Sequence, residues 1–122
     1  GNALEHYVAW IHALPYYYEL DTCFLVHAGF NFSRENPFED TYSMLWIRHM
    51  KPHPEKQKGK FVVHGHTPTA LQEIRASIAE RRSIINLDNG CVYSGYSYEY
   101  FLGCLLCLDI DSFELYVQNC ID

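Results

Sequence analysis

Two short segments place histidine directly after an apolar, β-branched run: Val26-His27-Ala28-Gly29 and Val63-His64-Gly65-His66-Thr67-Pro68. Such a run reads as a strand, so each histidine falls where a strand ends and its loop begins. Two such ends lying side by side would aim imidazoles at one point. Open α/β sheets build ligand and metal sites in this way, at the carboxyl ends of their strands. A divalent metal needs neutral imidazole or carboxylate ligands in fixed geometry. The alanine and glycine neighbours of His27 and His66 let metal and substrate come close to the backbone. One histidine after a strand is ordinarily structural; two in matching contexts point to ligation by His27 and His66. His64 lies two residues before His66, so on a continuing strand both would face the same side. It reads as a ligand, a partner behind the ligands, or a hydrogen-bonded strand-end histidine.

Arg48 follows Trp46-Ile47. A planar guanidinium grips phosphate through two hydrogen bonds, which lysine cannot reproduce. Taken alone, Arg48 is a surface or helix-end arginine. Cys104 and Cys107 form a C-x-x-C, but the surrounding Phe101 to Leu108 reads as a buried strand. Residues three apart on a strand face opposite sides, so both read as core thiols instead of a redox or zinc pair. Five cysteines, an odd number set in apolar sequence, fit reduced and buried thiols better than a disulfide framework.

These residues need elements to position them. Leu4, Tyr7, Val8, Ile11 and Leu14 recur at helical spacing before Pro15, which predicts an amphipathic helix over 3–14 packing on a sheet. Strands are expected at 22–26, 61–63 and 83–87, the last stopped by Asp88-Asn89-Gly90. The polar stretch 31–40 reads as a loop over the site. Residues 39–50 read as a second helix with acids at its start and Arg48, His49 and Lys51 at its end, as the helix dipole favours. The lysine- and proline-bearing stretch 51–60 reads as a solvated loop. Over 69–82 the period favours a helix, but an irregular excursion also fits. After a Tyr/Ser/Gly loop, 101–110 and 113–119 read as a β-hairpin. The expected class is α/β (α+β), a mixed sheet with flanking helices.

The chain's 122 residues make one domain at most, and 48% hydrophobic with 20% charged residues argues for a folded core. A net charge of −6 is a poor match to a duplex-binding protein that must neutralise phosphates, so no nucleic-acid partner is expected. A locally positive metal site would still hold a phosphate ester. No apolar run reaches the length of a membrane span and no signal peptide heads the chain, so the expectation is a cytoplasmic protein without a membrane partner.

His27-Ala28-Gly29, Leu45-Trp46-Ile47-Arg48, Val63-His64-Gly65-His66-Thr67-Pro68 and Asn86-Leu87-Asp88-Asn89-Gly90-Cys91-Val92-Tyr93 occur in this order. Together they resemble the C-terminal half of the calcineurin-like metallophosphoesterases, in the bacterial serine/threonine phosphatase branch, from about Leu14 onward. The resemblance implies a four-layer αββα sandwich with two divalent ions (Mn, Fe or Zn) between the strand ends. It implies that His27 and His66 bind the second ion and that Arg48 holds substrate phosphate. The Asp88-Asn89-Gly90 turn matches a D-T-G element and reads as structural support. The implied reaction is hydrolysis of a phosphate monoester, on a phosphorylated protein or a small phosphomonoester, with the metals activating water and stabilising an in-line displacement.

Two departures qualify this. The D-x-H, G-D-x-x-D-R-G and G-N-H-[DE] motifs of the first metal site are absent. Gly1-Asn2-Ala3 imitates the last of them with alanine for histidine, only 25 residues before His27, and reads as a cloning remnant or chance. Pro68 stands where other branches carry another metal-binding histidine, which points to the phosphatase-like branch. The expectation is therefore a C-terminal portion with partial or no metal occupancy and little activity of its own. Two alternatives are a non-catalytic module that forms homo-oligomers through exposed sheet edges, and a dinucleoside polyphosphate hydrolase.

Overall fold

The computed structural model describes residues 2–94 and 101–121. Part of the expected Tyr/Ser/Gly loop, residues 95–100, and Gly1 of the expected remnant lie outside them.

The apolar runs form β2 (Cys23–Val26), β3 (Phe61–His64) and β4 (Ile84–Asn86). These pair in parallel, β2 with β3 and β3 with β4, while a short β1 (Tyr17–Glu19) adds antiparallel to the outside of β2. The sheet is mixed and carries flanking helices. A separate hairpin pairs β5 (Cys104–Leu108) with β6 (Leu115–Asn119). In register, Phe24 lies beside Val62 and Val62 beside Ile84, so these side chains share one face; Leu25, Val63 and Ile85 share the other. Burial on both faces explains why β2 to β4 read as continuous apolar runs without alternation.

The first face holds Phe24, Val26 and Val62 under Phe30, Phe32 and Met44. The segment 31–40, expected to cover the site, instead closes this core. Phe32 is buried within it, and Phe38, from a short 3-10 turn at Pro37–Glu39, meets Phe24 at 5.2 Å between ring centres. Truncating a core phenylalanine such as Phe24 to alanine costs about 3–5 kcal/mol. A second cluster joins Ile74 and Ile78 of α3 (Leu71–Ala79) to Ile85, with Leu106, Leu108, Phe113 and Leu115 of the hairpin against it. The helical period over 69–82 therefore wins over the irregular alternative, because Ile74 and Ile78 find an apolar seat.

Several expectations need correction. The N-terminal helix α1 (Ala3–Ala13) forms, with Asn2 and Glu5 closing a capping box, but it buries no residue. Leu4, Tyr7, Trp10 and Ile11 are each more than half exposed. Asn2 thus has a local role as a cap. The helix expected over 39–50 is only α2 (Thr41–Trp46), capped by Asp40, whose carboxylate accepts from the Ser43 amide and hydroxyl. Ile47 is extended, so Arg48 and His49 stand beyond the helix and do not serve its dipole. Cys107 is exposed and Cys104 half-buried, because the hairpin covers the core with one face only; the core-thiol reading holds for Cys23. The stretch 51–60 is a loop, yet not a merely solvated one. Gln57 is buried, donating to the Lys60 and Ser83 carbonyls, and Lys56 reaches back to the Phe32 carbonyl. Among the described residues no helix is long and apolar enough to cross a membrane.

Candidate metal centre

Both histidine segments end parallel neighbouring strands, so register alone brings them together. Leu25 pairs with Val63, and two residues further the Gly65 amide donates to the His27 carbonyl at 2.8 Å. The chain then turns. His66 has φ 71°, and Thr67 N–H donates to the Gly65 carbonyl at 2.9 Å, closing a three-residue γ-turn of the rarer hand. A non-glycine residue in this region costs on the order of 1–3 kcal/mol, and such conformations persist where surrounding structure over-determines them. Strand β3 therefore does not continue to His66, and His64 and His66 do not share a strand face.

The turn carries the His66 ring to that of His27. His27 Nε2 and His66 Nδ1 lie 3.1 Å apart, with ring centres 4.9 Å apart and planes at 64°. One of these nitrogens donates its N–H to the other's lone pair. Trp46 approaches the His66 ring edge-on at 6.0 Å. Two imidazole nitrogens each ~2.0–2.1 Å from one tetrahedral ion would stand about 3.3 Å apart, so the pair fits adjacent positions on a single divalent ion in place of the shared proton.

The electrostatics favour neutral rings at His27 and His64. Partial desolvation, then the neighbouring His66, lowers the His27 pKa from its ordinary value, against the opposing pull of Asp88. Burial lowers that of His64, against hydrogen bonds to the Gly65 and Ala28 carbonyls and the charge of Asp88. Neutral imidazole is the ligating form. His64 turns its Nδ1 to the Gly65 carbonyl at 3.1 Å and is held by backbone behind the pair.

His27, His64, His66 and Asp88 line one cleft of about 970 Å³, whose apolar floor includes Leu25, Val63 and Leu87. Arg48 is not in it. The exposed Arg48 lines a second cleft of about 430 Å³ with His49 and Asn86, and His64 borders both. The structure thus gathers the three histidines and stands Arg48 on the far side of His64. Among the described residues no set of three or more His, Cys, Asp or Glu side chains is grouped to hold a metal ion.

The Asp88-Asn89-Gly90 turn braces this region. Asp88 accepts from the Gly90 amide, and Gly90 has φ 62° with no room for a Cβ, which would lie 2.9 Å from Tyr93. Asn89, 1% exposed, donates to the Thr69 and Phe101 carbonyls and accepts from the Cys104 amide. Asn86, marked in the sequence only as the start of the fourth motif and given no role there, donates its amide to the Thr67 carbonyl and the Thr69 hydroxyl. Its signal was a polar residue closing an apolar strand two residues before an aspartate, where an asparagine side chain bonds the backbone two residues on. Asn86 does so, accepting from Asp88 N–H.

No protein-family model, curated protein or solved structure matches the chain.

Proposed function

We propose that this chain is the C-terminal portion of a calcineurin-like metallophosphoesterase domain that hydrolyses phosphate monoesters, and that His27 and His66 hold one of its two divalent ions. The observation that carries this reading is the pair of ring nitrogens 3.1 Å apart at the ends of two parallel strands. The four motifs in order support it, as does the bias of the His27 ring towards its neutral form. In this reading the sheet face that floors the cleft, with Leu25 and Val63, is one inner face of the αββα sandwich.

The divalent ions, Mn, Fe or Zn, supply Lewis acidity and water activation when bound. His27 Nε2 and His66 Nδ1 would hold one ion, with His64 hydrogen-bonded to the neighbouring Gly65 carbonyl. Arg48 neutralises charge on the phosphoryl group, which requires its side chain to swing past His64 from the neighbouring cleft. Two imidazoles are too few ligands for a tight site. Further ligands would be needed for turnover, so the 122-residue chain alone is expected to hydrolyse little or no substrate.

The test is a Mn²⁺ titration followed by assays on an aryl phosphate and a phosphoserine peptide. Mn²⁺ should broaden the His27 and His66 ring resonances selectively. His27→Ala and His66→Ala should each abolish the selective broadening of the remaining ring. Binding unchanged in both variants, or turnover by the isolated chain equal to a complete domain, sinks the reading.

A non-catalytic, self-associating module is the second reading. The apolar side chains of α1, none of them buried, favour it.

A further inference from the structure

The strained turn at His66 is fixed at both ends. On its upstream side the Gly65 amide is tied to the His27 carbonyl at 2.8 Å, so the turn begins on the other histidine's own backbone. On its downstream side the Thr67 carbonyl receives the Asn86 side-chain amide at 2.7 Å. The same amide donates to Thr69 Oγ1 at 2.8 Å, and that hydroxyl donates to the Thr67 carbonyl at 3.0 Å. Asn86 Oδ1 in turn accepts from the Asp88 amide at 2.8 Å. One side chain therefore spends both donors on the loop that carries His66 and its acceptor on the turn that carries Asp88. Asn86 itself is placed by register, paired with His64 at the end of β4.

We propose that Asn86 is the positioning residue of the imidazole pair: its double donation to Thr67 and Thr69 holds His66 in the left-handed turn that brings Nδ1 to His27 Nε2. Without those donors the Thr67 carbonyl loses its anchor and the turn relaxes towards extended backbone, swinging the His66 ring away from His27. The inference deepens the metal-site reading and depends on it for one readout only, since the ring pair exists without metal.

Asn86→Asp is the direct test because it is isosteric. It keeps the acceptor for the Asp88 amide and turns the donor nitrogen into an oxygen facing the Thr67 carbonyl. Thr69→Val removes only the hydroxyl relay and serves if the aspartate variant does not fold. Gln57→Ala is the control, since it loosens the loop at the opposite end of the sheet and lowers stability without touching the turn.

The first readout is proton NMR of the metal-free 122-residue chain. Wild type and Gln57→Ala should show nuclear Overhauser contacts between the His27 and His66 rings. Asn86→Asp should lose them and Thr69→Val weaken them, with amide shifts concentrated in 64–69. The second readout is Mn²⁺ alone as the probe: Asn86→Asp should weaken its binding 10- to 100-fold, the range for removing a partner behind a ligand, while Gln57→Ala leaves it unchanged. Ring contacts that survive in both Asn86→Asp and Thr69→Val, or vanish equally in Gln57→Ala, overturn the proposal. If Mn²⁺ does not bind the wild-type chain, the ring contacts alone decide the role of Asn86.

Discussion

The carbonyl of His27 accepts from the amide of Gly65 at 2.8 Å, so the two histidine-bearing strand ends are joined through main chain before their rings meet. The imidazole pair is thus a consequence of parallel register: sliding β3 by one residue along β2 would separate the rings and turn Val63 to the wrong face. Sites built on strand ends hold their geometry better than sites on free loops.

Stability should fall on mild acidification. His27 and His64 both have folded-state pKa values lowered from about 6.5, so below that pH the unfolded chain binds more protons than the folded one. Unfolding free energy then rises with pH, is fully present above about 6.5, and is lost as pH drops through the lowered folded-state values. The urea midpoint should be lower at pH 5.5 than at pH 7.5, and His64→Gln should flatten the difference. The depressed carboxylates, Glu19 held by Lys60 and Lys58, Asp40 by Ser43 and Asp109 by backbone amides, act only at more acidic pH. An equal or higher midpoint at pH 5.5 contradicts the assignment.

Asn89→Ala should destabilise strongly. It strips partners from the Thr69 and Phe101 carbonyls and the Cys104 amide around a buried side chain. Each orphaned group costs about 1–3 kcal/mol, so a loss near 3 kcal/mol or more is expected in urea unfolding. Asn89→Asp keeps the acceptor for Cys104 and should recover part of it. A loss below about 1 kcal/mol would show that water substitutes for the amide.

Trp10→Glu should leave monomer stability within about 0.5 kcal/mol of wild type, because the side chain is 62% exposed on a helix that buries nothing. Light scattering of the wild type should show mass rising with concentration, and the variant should show less of it. A wild-type mass fixed at that of the monomer removes α1 as an association surface.

Much of the sheet was legible in the residues. Phe61-Val62-Val63 and Cys23 to Val26 declare strands by their apolar runs, and the histidines that end them meet as expected. The helix over 39–50 was over-read because Arg48 and His49 suit a helix end by charge, whereas Ile47 leaves helical backbone before them. Cys107 was misread because an apolar strand has the same composition whether one face or two are covered. The left-handed turn at His66 left no mark in composition: glycine precedes it at position 65, and the strained conformation is imposed by bonds from His27 and Asn86, distant in sequence.

The unburied α1 also sets a time scale. An 11-residue helix with a capping box but no tertiary seat is marginal in water. It must open and close independently of the sheet, at a free energy close to zero. Its amides should exchange with deuterium in the earliest time points, while those of β2 and β3 wait for global unfolding. Any ligand or second chain that seats the helix would then announce itself as slowed exchange confined to residues 3–13, long before it changes the melting temperature.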